Sequence, residues 1–171
     1  MKRFLPIFVL LLTLGWTACH NAENKTSDRS SSSLTQKELM AFSRKLMRQE
    51  KRDIDAFIKT QHWKMKESGT GLRYQIISKG NGEKAHTGQM AEIRYSVKLF
   101  DGQQIYSGVK SFKIGYGGVE NGLEEGILLL KRGDKAKFIL PSHLAYGLSG
   151  DGDKIPPHTP IIYYVELLEL K

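Results

Sequence analysis

The residues best able to do chemistry crowd toward the C-terminal end of the chain. Pro141-Ser142-His143-Leu144-Ala145-Tyr146-Gly147 sets a hydroxyl, an imidazole and a phenol in one turn-rich stretch, and Ile155-Pro156-Pro157-His158-Thr159-Pro160 follows shortly after. Ser142-His143 adjacency is not a hydrolase signal, because it lacks the nucleophile elbow and acidic partner that activate a serine. The five histidines, at 20, 62, 86, 143 and 158, show no ligand spacing, so no metal site is expected. Glu124-Glu125 opens an apolar helix-like run and reads as helix N-terminal charge rather than as an acid/base pair. Taken alone, Tyr146 near a turn caps a loop more readily than it binds a ligand, and Pro156-Pro157 is a rigid turn.

These residues must be positioned by the elements around them. Leu72-Arg73-Tyr74-Gln75-Ile76 alternates as a half-buried strand does, and Gly80-Asn81-Gly82 is a turn. Met90 to Leu99 is a longer strand with Ile93, Tyr95, Val97 and Leu99 on one side, and Asp101-Gly102 gives a hairpin signal. Phe112-Lys113-Ile114 is a short strand closed by Gly115. Gly122 to Leu130 is helix-like, and Lys135 to Leu140 and Ile161 to Leu170 are the last two strands. Many strands with one short central helix predict an α+β domain over 62–171, an antiparallel sheet wrapped around that helix.

Upstream, Thr35-Gln36-Lys37-Glu38 has capping-box spacing, and Leu39, Phe42, Leu46, Ile54, Phe57 and Ile58 follow helical spacing on one face. The stripe fades around Arg48 to Asp53. Residues 34–61 therefore form either one helix with a weak middle or two short ones. Such a helix packs on the domain, spaces it from a surface, or serves as a homodimerisation arm through its apolar face.

Residues 1–18 read as an export signal: a basic Met1-Lys2-Arg3, an apolar run from Phe4 to Leu14, then Gly15-Trp16-Thr17-Ala18. At about eleven residues the run is too short for a bilayer span, which takes about twenty. Cys19 is the only cysteine, so it has no internal disulfide partner. Its place looks like a bacterial lipoprotein cleavage site, although Trp16 stands where an aliphatic residue is usual; the other reading is an ordinary cleaved signal with an incidental cysteine. Lipidation at Cys19 implies an exported protein anchored to a bacterial cell membrane, on its periplasmic or cell-surface face. Residues 19–33 are polar and charged, a composition that cannot bury a core and reads as a flexible tether.

The chain has 171 residues, 40% of them hydrophobic, and a formal net charge of +8. That excess suits an anionic membrane surface or acidic clients. No element clusters basic with aromatic residues as a nucleic-acid site requires, so none is expected.

From His62 onward the motifs, taken in order, resemble an FKBP-type peptidyl-prolyl cis/trans isomerase domain. The resemblance is carried by Gly71-Leu72-Arg73-Tyr74 with Gly80-Asn81-Gly82, Ile93-Arg94-Tyr95 with Asp101-Gly102, and Phe112-Lys113-Ile114-Gly115. It continues through Gly122-Leu123-Glu124-Glu125-Gly126, Leu130-Lys131-Arg132-Gly133, the two proline- and tyrosine-bearing stretches above, and Val165-Glu166-Leu167-Leu168. The signal, the preceding helix and Trp63-Lys64-Met65 further resemble the gliding-motility-associated isomerase lipoproteins.

The resemblance implies binding of Xaa-Pro segments of client polypeptides in an apolar pocket, with no cofactor. By position it makes Tyr146 a hydroxyl donor to a substrate carbonyl, the Glu120 backbone N–H a second donor, Tyr95 and Val119 walls, and Ile155 the rim. Ile105, Tyr106, Phe112, Leu123 and Tyr163 complete the pocket. Several of these depart from the family pattern. Ile105-Tyr106 replaces Phe-Asp, Lys110 an aromatic, Glu120 an aliphatic, Leu123 a tryptophan and Tyr163 a phenylalanine. The implied activity is proline isomerisation assisting the folding of exported proteins. The alternatives are a proline-binding chaperone or a structural subunit of a membrane-associated complex.

Overall fold

Residues 35–171 are described by a computed structural model; the expected signal, the tether and the lipid site at Cys19 lie outside the described residues. Within them six strands form: β1 (Lys66–Glu67), which the sequence reading did not anticipate, β2 (Arg73–Ser78), β3 (Met90–Lys98), β4 (Gln104–Lys113), β5 (Lys135–Leu140) and β6 (Ile161–Leu170). They form one antiparallel sheet in the order β1-β2-β5-β6-β3-β4. Successive side chains of a strand point to opposite faces. Ala136, Phe138 and Leu140 accordingly pack with Ile161, Tyr163 and Val165 in one cluster, while Ile139 and Ile162 pack with Ile54 in another. β5 and β6 are thus covered on both faces where Phe138 to Leu140 pairs with Ile161 to Tyr163, which is why apolar residues run on there.

The first face holds α2 (Asn121–Ile127). It lies unusually close to β5: a Cβ on Gly122 would stand 2.6 Å from the Leu140 side chain, and one on Gly126 would stand 2.7 Å from the Phe138 ring. Glycine at these two positions lets the helix settle into the sheet, with Leu123 and Ile127 fully buried beneath it. Each such aliphatic or aromatic side chain contributes about 1.5–3 kcal/mol on burial.

The second face holds the C-terminal half of α1 (Gln36–Thr60), one continuous 25-residue helix rather than two short ones. Its start is the expected capping box. The Thr35 hydroxyl accepts from the Glu38 N–H at 3.3 Å, and the Glu38 carboxylate accepts from the Thr35 N–H at 2.8 Å. Ile54 is buried against Ile139 and Ile162, and Phe57 stacks on Phe100 with ring centroids 4.1 Å apart. Lys137 lies beneath this layer, its ammonium 3.4 Å from the Trp63 ring centroid, and desolvation lowers its pKa. Toward the N-terminus the described residues give α1 no such cover: Leu39, Met40, Phe42 and Met47 are each about half exposed.

Two buried charges fasten α1 to the sheet and to the segment that follows β5. Arg73 on β2 pairs with Asp55 of α1 and with Glu67 of β1, both at 2.8 Å. Glu50, 5% exposed, accepts from the Ser142 N–H at 2.6 Å and from the Ser142 hydroxyl at 2.9 Å. The weak middle of the stripe, Arg48 to Asp53, is where the helix exchanges apolar contact for these polar ones.

β4 departs from the sequence reading. The expected short strand at Phe112 is the end of a ten-residue strand from Gln104 to Lys113. It is an edge strand exposed along most of its length, so polar residues stand on both faces and the alternation that reveals β3 is missing.

Candidate functional site

The candidate site opens where β3, β4, β6, the start of α2 and the segment after β5 converge. That segment leaves the sheet at Pro141, makes one 3-10 turn over Ser142–Leu144, and is closed by hydrogen bonds from Gly147 N–H to Ser142 O and from His158 N–H to Gly147 O. Tyr146 is thereby held over the end of the sheet. Tyr95 from β3 and Tyr163 from β6 stand beside each other, ring centroids 6.0 Å apart.

Tyr95, Tyr106, Glu120, Leu123, Tyr146 and Tyr163, with Ile93 and Lys110, line a cavity of about 170 Å³. Six of the ten residues expected at the site therefore meet around one space. The other four, Ile105, Phe112, Val119 and Ile155, lie in or against the core cluster behind it. A larger cavity of about 270 Å³ lies between α1 and the β1–β2 turn, but it has no tyrosine among its lining residues.

The hydroxyls are engaged. Tyr146 donates to Glu120 Oε1. The other oxygen, Oε2, is closed to solvent and has no hydrogen-bond partner among the described residues. Burial pushes the Tyr146 phenol well above its ordinary range, and the neighbouring Glu120 carboxylate adds to the shift. Tyr163 is shifted the same way, first by its deeper burial and then by the charge of Glu120. Both rings stay neutral and keep a proton to donate. The Glu120 backbone N–H, at the residue preceding α2, donates to no other described residue.

Tyr106 donates to Asp151 at 2.5 Å, and this bond is the main reason its phenol rises to about 12. Desolvation acts on Asp151 in the upward direction. The Tyr106 hydroxyl and the N–H groups of Asp153, Ile155 and Lys154 outweigh it, bringing the carboxyl down to about 2. Asp151 sits in a tight turn in which Gly150 has φ +71°, and a Cβ there would stand 2.2 Å from the Ile155 carbonyl oxygen. The acid missing from position 106 is thus supplied from across the cavity mouth. Sequence reasoning passed over Asp151 and Ile93. The Gly150-Asp151-Gly152-Asp153 run was a legible turn signal, but nothing in it said that Asp151 faces Tyr106.

Glu124 and Glu125 brace the α2 region. Glu124 accepts from the Gly117 N–H at 3.0 Å, and Glu125 accepts from the Thr70 hydroxyl at 2.6 Å. Among the described residues no group of histidine, cysteine, aspartate or glutamate side chains has the arrangement of a metal site.

Comparison with known proteins agrees with this fold. Residues 81–168 match the model of the FKBP-type peptidyl-prolyl cis-trans isomerase family. The FKBP-type peptidyl-prolyl cis-trans isomerase FkpA of Escherichia coli K12 is 34% identical over 110 residues, covering 63% of this chain and 40% of its own. The chain thus spans about two fifths of the length of that relative. FK506-binding protein 2 of Dictyostelium discoideum is 39% identical over 90 residues, 50% of this chain and 68% of its own. Among solved structures, Escherichia coli FkpA superimposes with a TM-score of 0.62 at 30% identity, covering 81% of this chain and 74% of the other. A peptidyl-prolyl cis-trans isomerase from Pseudomonas syringae gives 0.63 at 26% identity, covering 75% and 96%. With the domain match, the shared fold and the order of motifs in agreement, the chain belongs to the FKBP-type peptidyl-prolyl cis-trans isomerase family.

Proposed function

We propose that the protein accelerates cis/trans isomerisation of Xaa-Pro bonds in polypeptide clients that dock into the cavity between Tyr95, Tyr146 and Tyr163. The peptide bond resists rotation by about 18–20 kcal/mol because resonance gives it double-bond character. A twisted amide loses charge separation, so a site that removes water and supports the substrate carbonyls lowers that barrier. Ile93, Leu123 and the faces of the tyrosine rings would give the prolyl ring its apolar contact, in a cavity that Glu120 and Lys110 also line. The Tyr146 hydroxyl and the free Glu120 N–H are the donors. No nucleophile or cofactor is required.

The observation that carries this reading is one cavity of about 170 Å³ lined by Tyr146 and Glu120 together with the rings of Tyr95, Tyr106 and Tyr163. The test follows the cis-to-trans conversion of a short Xaa-Pro peptide by the purified protein, with and without Tyr146→Phe. Acceleration that falls at least about tenfold in the variant is expected, the scale of a lost transition-state hydrogen bond. No acceleration by a folded protein would sink the enzyme claim.

A second reading is a proline-binding chaperone, or a structural subunit, with little turnover. It is favoured by one feature: the Tyr146 proton is already committed to Glu120. Under that reading the Tyr146→Phe variant suppresses client aggregation as well as the unaltered protein does.

We further infer a lipid anchor at Cys19 with an export signal at 1–18 and a tether at 19–33, an arrangement that would hold the domain at a bacterial membrane surface. Support comes from the apolar run and the single cysteine after it. The half-exposed Leu39, Met40, Phe42 and Met47 support pairing of two copies through α1.

A further inference from the structure

Tyr146 has one hydroxyl proton, and Glu120 holds it. If Tyr146 is to donate to a substrate carbonyl, as the isomerase reading above requires, Glu120 must release it. The carboxylate then keeps no hydrogen bond of good geometry among the described residues, because Oε2 is closed to solvent and without a partner, and only the neutral Tyr163 phenol beside it is placed to act on it. An unpaired carboxylate in a poorly solvated site is unfavourable unless a donor arrives with the substrate. We propose that Glu120 makes this site select proline segments flanked by a basic residue, lysine or arginine, whose cationic head replaces the Tyr146 hydroxyl on the carboxylate as the substrate seats.

The surroundings agree in sign. Across the mouth stand Asp151 and Asp153, both within reach of the Tyr106 hydroxyl at 2.5 and 3.4 Å. An otherwise basic chain thus presents its acids at this opening. Two cations oppose them. Lys154 lies over the Tyr106 ring, 5.0 Å from its centroid, and Lys110 lines the cavity. Neither makes an ion pair among the described residues. Lys110 is exposed on the edge strand β4, on a long flexible stem. It is the charged internal competitor for the freed carboxylate, and the Tyr163 hydroxyl is the neutral one.

The test compares peptides that differ only beside the proline: lysine, its uncharged isostere norleucine, and glutamate, each placed before and then after the proline. Binding is read by fluorescence anisotropy of labelled peptides and turnover by cis-to-trans conversion, in the purified protein and in Glu120→Gln, Glu120→Ile and Lys110→Gln. Lysine should exceed norleucine by about fivefold or more at one flank, the factor of a partly exposed ion pair. That ratio should fall toward one in both Glu120 variants, grow in Lys110→Gln, and shrink at high salt. A ratio near one in the wild type, as Lys110 pairing with Glu120 would produce, overturns the proposal. So does a preference that survives Glu120→Ile. Binding with the lysine preference but without turnover upholds Glu120 as the selector and defeats only the isomerase reading. Failure to bind any of the peptides defeats both.

Discussion

Two glutamates hold the segment that follows β5, and they are satisfied to different degrees. Glu50, reaching in from α1, accepts the Ser142 N–H on one oxygen and the Ser142 hydroxyl on the other. Glu120, just before α2, accepts the Tyr146 hydroxyl on one oxygen and nothing from the described residues on the other. The two contacts lie four residues apart on one stretch of chain. A buried carboxylate with both oxygens engaged has no capacity left for a ligand and acts as a fastener. One that is half engaged is sensitive to whatever next enters the cavity. The contrast divides the region into a fixed base, Ser142 on α1, and a responsive tip, Tyr146 over the pocket.

The largest effect should come from breaking the base. Glu50→Ala leaves the Ser142 N–H and hydroxyl without their acceptor in a buried place, at a cost of about 3 kcal/mol. A lower midpoint in chemical denaturation checks it; a loss under about 1 kcal/mol would mean that α1 is only loosely docked. A smaller loss should follow at the next link. The Ser142 hydroxyl spends its one proton on Glu50, so it must accept from His158 Nδ1, 3.0 Å away, and that nitrogen therefore carries a proton. His158→Ala removes a single donor and should cost about 1 kcal/mol.

The tip should respond in the opposite way. Replacing a half-satisfied carboxylate by an apolar side chain removes its desolvation cost together with its one hydrogen bond. Glu120→Ile should therefore leave stability unchanged or raise it by up to about 1 kcal/mol. A denaturation midpoint that falls as far as that of Glu50→Ala would erase the distinction between the two glutamates.

Legibility in the sequence follows the same division. The face-alternating strands β2 and β3 and the capping box at Thr35 could be read directly, because each is set by a local period or a three-residue spacing. The exposed edge strand β4 could not, since a strand without a buried face has no period to show. Tyr146, Tyr95 and Glu120 were reached through resemblance, and the cavity gathers them. What the sequence did not disclose is which groups meet across the fold. Glu50 and Ser142 are separated by 92 residues, and Tyr106 and Asp151 by 45. A pairing at that range leaves no spacing signal. The fading of the apolar stripe at Arg48 to Asp53 was the one hint that α1 makes a polar contact there.

Asp151 lies on the segment itself and offers the mildest test of the comparison, since it is satisfied like Glu50 yet lies at the open cavity mouth. Its oxygens accept from the Tyr106 hydroxyl and from the N–H groups of Asp153 and Ile155. Its carboxyl is held at about 2, below the ordinary 3.8. A lowered carboxyl pKa contributes stability that is complete above the ordinary value and disappears as pH falls through the folded one, so the contribution should fade between about pH 4 and pH 2. Tyr106 sets the other limit. Its phenol is raised from 10.0 to about 12, so its contribution is complete below pH 10 and is lost as pH rises through 12. Tyr106→Phe should flatten both limbs slightly, and Asp151→Asn should do the same, while neither should move the midpoint as Glu50→Ala does. Denaturation midpoints at pH 2.5, 6 and 11 for the three proteins measure this. If Tyr106→Phe instead lowers stability across the whole range by as much as Glu50→Ala, the mouth is as rigid as the base. Satisfaction alone, independent of burial, would then decide which acids hold this segment in place.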